Sequence, residues 1–341
     1  MPLRSPATEL THEVLECTPR GYLNPQAVGW SRRPLHRCNL AGRWLRKKRW
    51  DYWCVTSRES LLSITYTSLD YLGIVDVWFM DFATKQVTQK SVALPFAPGF
   101  SLPETVNGGD IRFRKLGLEV ELLAQPDGNR LRVKFGSGAK ALDADLFVAL
   151  PHGHETLNVL VPWSERLFQF TSKHTARPAN GVVKLGERTY VFGAHNAAFG
   201  ALDFGRGIWP YSSAWNWAAA SGVQGGRSVG LNLGGKWTDG TGATENGLCL
   251  EGRLHKVDED LEWTYDRKNW LAPWRIRAPS GRVDLVFTPF FQKQGALNLA
   301  VLATELHVQV GHFEGTVVTG DGERVAVSQL LGWAEEHRAR W

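Results

Sequence analysis

The chain has 341 residues, of which 43% are hydrophobic and 21% charged, and a formal net charge of +5. It is long enough for two domains or one large one, and it lacks the concentrated cationic excess of a dedicated nucleic-acid binder. The 35 glycines and 15 tryptophans, against two methionines, favour turns and sheets over helical bundles.

The opening residues 1–28 are polar and weakly patterned and read as an arm. Their start, MPLRSPATELTHEVLE, has no apolar core of the secretory kind, and no later run is long enough for a membrane-spanning helix, so the expected location is cytoplasmic. The cysteines Cys17, Cys38, Cys54 and Cys249 show no paired spacing, which favours free thiols in a reducing compartment. From about Trp50 onward, runs such as YWCVTS, LLSITYTSL, GIVDVWFMDF, RLRVKF and VDLVFTPFF alternate with turn signals such as PDGN, PSG and GDGE. Period-two patterning between such turns predicts an all-β chain with few helices.

An internal repeat organises these strands. GVVKLGERTYVF (181–192) reads against GTVVTGDGERVAV (315–327), each a predicted hairpin. WDYWCV (50–55) likewise resembles WNWAAAS (215–221), and each is followed by a further strand, GIVDVWFMDF or NGLCLEGRLHKV. A duplicated meander predicts two antiparallel barrel-like or sandwich-like halves, 29–197 and 198–341.

Several motifs are absent or incomplete. GVQGGRSVG lacks a strand-to-helix context for phosphate, GxSxG does not occur, and His152 with His154 has no third ligand at zinc spacing. The basic run RWLRKKRWDYW contains Arg43–Arg49 and leaves open a peripheral contact with anionic membrane, the plainer reading being a solvated loop. The dense segment is GRGIWPYSSAWNWAAASG, where Trp209, Tyr211, Trp215 and Trp217 crowd together around Arg206 and Asn216, with small residues after them. Ionisable residues cluster nearby in sequence: Lys173, His174 and Arg177 before it, Asp203 within the approach to it, and Asp239, Glu245 and Arg253 after it, with one more ring, Trp237, among the last. Rings beside small residues predict either the wall of a cavity or a tightly packed barrel corner. An inward ionisable group there must be hydrogen-bonded or paired, and the bland alternative is an ion-pair network, Asp203 with Arg206 or Glu245 with Arg253.

The lines ALDFGRGIWPYSSAWNWAAASG, TENG and GRLHK, with PWSERLFQFTSKHTARPANG before them, resemble a bacterial domain-of-unknown-function family over roughly residues 15–341. More distantly, a strand ending in Asp, then Gly, then W-x-W is similar to the lipocalin-like (calycin) double-barrel group of carotenoid hydratases, tocopherol cyclases and fungal Diels–Alder cyclases. That resemblance implies two tandem lipocalin-like β-barrels with an apolar pocket in or between them. It also implies that Asp203 matches the aspartate of a Tyr-His-Asp motif that protonates a carbon–carbon double bond, with His174 as an upstream partner. Here Ala201, Leu202 and Phe204 surround that aspartate, so the polar neighbours of the motif are missing.

The expected function is binding of a lipid-like or isoprenoid-like molecule, with cofactor-free isomerisation, cyclisation or hydration. Asp203 and His174 are the expected acid and its partner. Trp209, Tyr211, Trp215, Trp217 and Trp237 are the expected wall, and Arg206, Asn216 and Glu245 the groups that orient a polar end. No metal, cofactor or nucleic acid is expected. The rivals are a non-enzymatic lipid carrier or lipid-responsive protein, and a scaffold with filled barrels.

Overall fold

The computed structural model describes residues 7–40, 42–299 and 302–341, which contain no α-helix. Two antiparallel sheets follow each other along the chain. The first opens with a four-strand meander, Lys47–Thr56, Ser60–Ser68, Leu72–Asp81 and Val87–Pro95. The chain then crosses to the far edge at Ile111–Lys115 and returns through Leu118–Gln125, Gly128–Phe135, Leu142–Ala149 and Phe168–Leu185. Its final strand, Phe199–Ile208, lies against the first, Lys47–Thr56. The second sheet repeats this plan. Its meander is Ser212–Gln224, Arg227–Gly235, Asn246–Leu250 and Arg253–Val257; its last strand, Arg324–Arg340, pairs with its first. First-to-last pairing curls each sheet into a half-barrel, as the sequence predicts.

The repeat has a structural basis. Gly181 and Gly315 adopt φ of +132° and +134° at matching bends in the long strands Phe168–Leu185 and Leu302–Val318. A Cβ at either would run into a backbone carbonyl oxygen, of Asp145 or of Asp284, so only glycine fits without strain. Both predicted hairpins form, Gly181–Leu185 against Arg188–Phe192 and Gly315–Val318 against Arg324–Val327. GIVDVWFMDF and NGLCL are the third strands of their meanders, each separated from the W-x-[YW] strand by one more strand than the sequence suggests. Strand Phe199–Ile208 belongs to the first sheet, so the chain changes sheets at residues 209–211, downstream of the expected division at 197/198.

Strand alternation places the cores. In Lys47–Thr56, Trp53 and Val55 point into a filled first core with Ile64, Val77, Leu202 and Phe204. In Ser212–Gln224, Ala218 and Ala220 point into the second core with Leu231, Trp274 and Phe287. The alternate residues, Tyr52 and Cys54 from one strand and Trp215, Trp217 and Ala219 from the other, pack together where the halves meet. A buried indole removes roughly 150–250 Å² from water, an upper bound of about 4–6 kcal/mol each. Within the second sheet, a Cβ at Gly332 would strike the Ala219 carbonyl oxygen and Ala220, so the last strand seats closely on Ser212–Gln224.

Candidate functional site

A cavity of about 340 Å³ lies at the joint, between the sheets rather than inside either core. Tryptophans dominate its wall. Trp209 follows the last strand of the first half, immediately before Pro210, which cannot continue a ladder. Its ring stacks on Trp237 at 5.2 Å and meets Trp50, Trp215 and Trp341 at 5.9, 5.4 and 5.7 Å. Its indole N–H donates to Gln169 Oε1 at 2.6 Å, which satisfies the one polar atom this buried ring carries. Tyr52 and Trp217 meet edge to face at 5.5 Å across the joint.

Charged groups gather on the floor. Lys173 and Asp203 are cross-strand partners, with Nζ 2.8 Å from Oδ2; Nζ is also 3.1 Å from Glu245 Oε2. Asp203 accepts a second hydrogen bond from Thr171 at 3.0 Å, and Glu245 accepts from the Trp237 indole at 2.5 Å. Burial disfavours the lysine charge, but Asp203 and Glu245 more than offset it and hold its pKa above the ordinary value. The ammonium also sits 4.4 Å from the Trp217 ring centroid. For Glu245, burial outweighs the lysine and leaves its pKa raised.

The fourth ionisable group, Glu335, comes from the duplicate half. Asp203 lies opposite Tyr52 in the first half, and Glu335 lies opposite Trp217 in the second. The duplication therefore makes Asp203 and Glu335 counterparts. Their other neighbours differ: Asp203 faces Lys173, whereas Glu335 faces Val308. Burial pushes Glu335 up to about 7, opposed by a 2.9 Å hydrogen bond from the Trp215 indole and by Lys173, and reinforced by Asp203 and Glu245. His337, one rung along, is half-buried against Trp215 with ring centroids 4.2 Å apart, and desolvation lowers it to about 3. Two carboxyls with different electrostatic surroundings thus share one ring-walled space, the arrangement in which acid and base roles separate.

Of the residues singled out in the sequence, Asp203, Trp209, Trp215, Trp217, Trp237 and Glu245 line the cavity. His174, Arg206, Asn216 and Tyr211 do not. His174 follows Lys173 on the strand and so points the other way, to Ser172 and Arg177 at 3.0 and 3.2 Å; burial holds its pKa well below the ordinary value. Arg206 is an odd number of residues from Asp203 and also faces the opposite side, where it pairs with Asp51 at 2.7 Å. In place of the alternative ion pairs, Asp203 with Arg206 or Glu245 with Arg253, both carboxylates share Lys173. Asn216, between two cavity tryptophans, turns to Tyr265 Oη at 3.1 Å, and Tyr211 is exposed. Within the basic run, Lys48 is buried beneath Tyr71 and Trp341, and Arg49 pairs with Asp70 at 3.0 Å. Burial, with Arg46 beside it, lowers Lys48 to about 8.

Sequence reasoning missed Glu335, Trp50, Tyr52 and Trp341 as wall or floor residues, and named Lys173 without a role. The available signal was the W-x-[YW] repeat, whose two copies mark the strands that meet here. Among the described residues, no group of three His, Cys, Asp or Glu side chains is placed to hold a metal ion, and no helix is long and apolar enough to cross a membrane.

Among solved structures, the fold is similar to a protein from Nitrosomonas europaea assigned as an AttH, at 13% identity and a TM-score of 0.49, covering 85% of this chain and 92% of that one. It is also similar to kievitone hydratase from Nectria haematococca, at 10% identity and a TM-score of 0.46, covering 86% and 88%. No curated protein matches. One family model matches residues 7–341, essentially the whole described chain, and the protein belongs to that family, the domain of unknown function DUF2804.

Proposed function

We propose that the chain binds a hydrophobic small molecule, lipid-like or isoprenoid-like, in the cavity between its halves and acts on it by cofactor-free acid catalysis with Glu335 as proton donor. The observation that carries this reading is the placement of the Glu335 carboxyl. It is set among indoles and faces an apolar residue where its counterpart Asp203 faces a lysine. A carboxylic acid that keeps its proton near neutrality is what protonation of an alkene requires.

The chemistry balances without a further reagent for isomerisation or cyclisation. The Glu335 O–H bond breaks, and its proton joins one carbon of a double bond whose π pair forms the new C–H bond. The adjacent carbon becomes cationic, and the faces of Trp215, Trp217 and Trp209 stabilise it. An internal π bond then closes a ring and moves the cation to a new carbon. There, or at the first cation when no ring closes, a proton on a neighbouring carbon leaves for the Glu335 carboxylate, its C–H pair forming the new double bond. Where water attacks instead, the resulting oxonium returns its extra proton to Glu335 and gives the hydrate. Asp203, already paired, contributes with Lys173 and Glu245 a fixed polar floor that orients the substrate.

Native mass spectrometry of freshly purified protein, followed by return of the extracted ligand to stripped protein, tests the reading. Wild type should convert the ligand, and Glu335→Gln should bind it without conversion. Binding without conversion by wild type leaves a carrier. Failure to bind either the extracted molecule or an apolar fluorescent probe removes the pocket reading altogether.

A further inference from the structure

The cavity is polarised along its strands. Asp203, Tyr52, Thr65 and Asp76 occupy one rung of the first sheet, paired in succession; Glu335, Trp217, Val308 and Lys293 are placed likewise in the second. Glu245 and Lys173 join this level through their contacts with Asp203 and each other. Lys293 reaches from the second sheet to Asp76 of the first at 3.8 Å. The next rungs change character. Ile74 lies one rung along the first sheet and Leu306 one rung along the second, with Leu297 another rung out, and Leu69, Leu72 and Leu302 line the same end.

The charges at the inner level do not cancel. Four carboxyls, Asp76, Asp203, Glu245 and Glu335, face two ammoniums, Lys173 and Lys293. The net charge is −2 with every group ionised and −1 when Glu335 holds its proton. The remaining lining groups that titrate or carry charge are Tyr52 beside Glu335, His337 one rung out, kept neutral by burial, Tyr71, and Arg340 among the outer residues, hydrogen-bonded to Asn298 at 3.4 Å. Indole faces surround the acidic level and attract positive charge themselves.

Building on the function proposed above, we infer that the ligand is an amphiphile bound head-inward, with a head that is cationic or becomes cationic during reaction and an aliphatic tail lying among the outer leucines. An amine or a carbocation at the floor meets both the surplus of carboxyls and the ring faces. A carboxylate head there would add a further negative charge to a water-poor space already carrying that surplus.

Three probes sharing one tail separate the possibilities: dodecylamine, 1-dodecanol and dodecanoate, each below its micelle concentration, with binding read by quenching of tryptophan fluorescence. At pH 8 the amine should bind wild type at least tenfold more tightly than dodecanoate, with the alcohol between them. At pH 6, where Glu335 is protonated, that gap should narrow several-fold. Glu335→Gln at pH 8 should show the narrowed gap, with circular dichroism confirming that it is folded. Equal binding of amine and carboxylate would overturn the inference while leaving the cavity intact. Tightest binding by dodecanoate, lost in Arg340→Gln, would overturn it in favour of the head-outward orientation. Binding of none of the three would remove the underlying pocket reading instead.

Discussion

Val308 faces Glu335 across the strand ladder at the position where Lys173 faces Asp203. One aliphatic-for-cation difference between duplicated strands leaves Asp203 ion-paired with Lys173 and Glu335 hydrogen-bonded to the Trp215 indole, with no cation opposite it on the ladder. Val308→Lys should therefore lower the Glu335 pKa by at least about one unit, since an opposite charge within a few ångströms favours the anion. Infrared difference spectra of the carboxyl band at neutral pH will report it: the protonated band of wild type should disappear in the variant.

Lys173 holds two carboxylates in a place that water scarcely reaches. Lys173→Met should cost about 3–5 kcal/mol of stability at neutral pH, because removing one member of a buried ion pair strands its partners. Denaturant unfolding across pH gives the check. The loss should shrink on acidification as the stranded carboxyls take up protons, and a loss unchanged by pH would contradict the role assigned to this lysine.

Much of the fold is legible in the sequence because its causes are local. Alternation marks the strands, and glycine at the bends marks the repeat, since Gly181 and Gly315 share a backbone conformation closed to other residues. WNW points to the wall for a similar reason: rings beside alanines leave room. Period two also divides the site residues between the faces of each sheet. Lys173 and His174, Asp203 and Arg206, and Trp215 and Asn216 are pairs at odd separations, so each pair must divide between faces. Glu335 is different. Nothing within GWAEEHRARW marks it, because its character comes from Trp215 and Val308, which only the folded ladder brings beside it.

Glu16 supplies a pH dependence separate from the cavity. Its carboxyl is fully buried in the N-terminal arm, and burial raises its pKa from 4.5 to about 8, against the lowering effect of Cys38 and Arg206. The folded state thus keeps a proton that the unfolded chain releases near 4.5. Stability is greatest below that value, falls as pH rises toward 8, and levels off above it, a change on the order of 3–5 kcal/mol. Glu16→Gln should flatten this slope, and thermal melts between pH 5 and 9 will show whether it does.

Trp341 touches Trp209 and Trp215 with centroids 5.7 and 5.8 Å away and lies outside both main cores. Trp341→Ala should weaken binding of an apolar probe at least tenfold while lowering the melting temperature by only a few degrees. Arg206→Met should do the reverse: it strands half-buried Asp51 and costs on the order of 3 kcal/mol, yet leaves probe affinity unchanged because it faces away from the cavity.

Titration of Glu335 in the folded protein, by NMR of selectively labelled glutamate carboxyls assigned through Glu335→Gln, tests the central claim most directly. A midpoint near 7 that moves when an apolar ligand fills the cavity is the predicted result. A midpoint in the ordinary carboxylate range near 4, indifferent to ligand, would contradict the assignment of this residue as the acid.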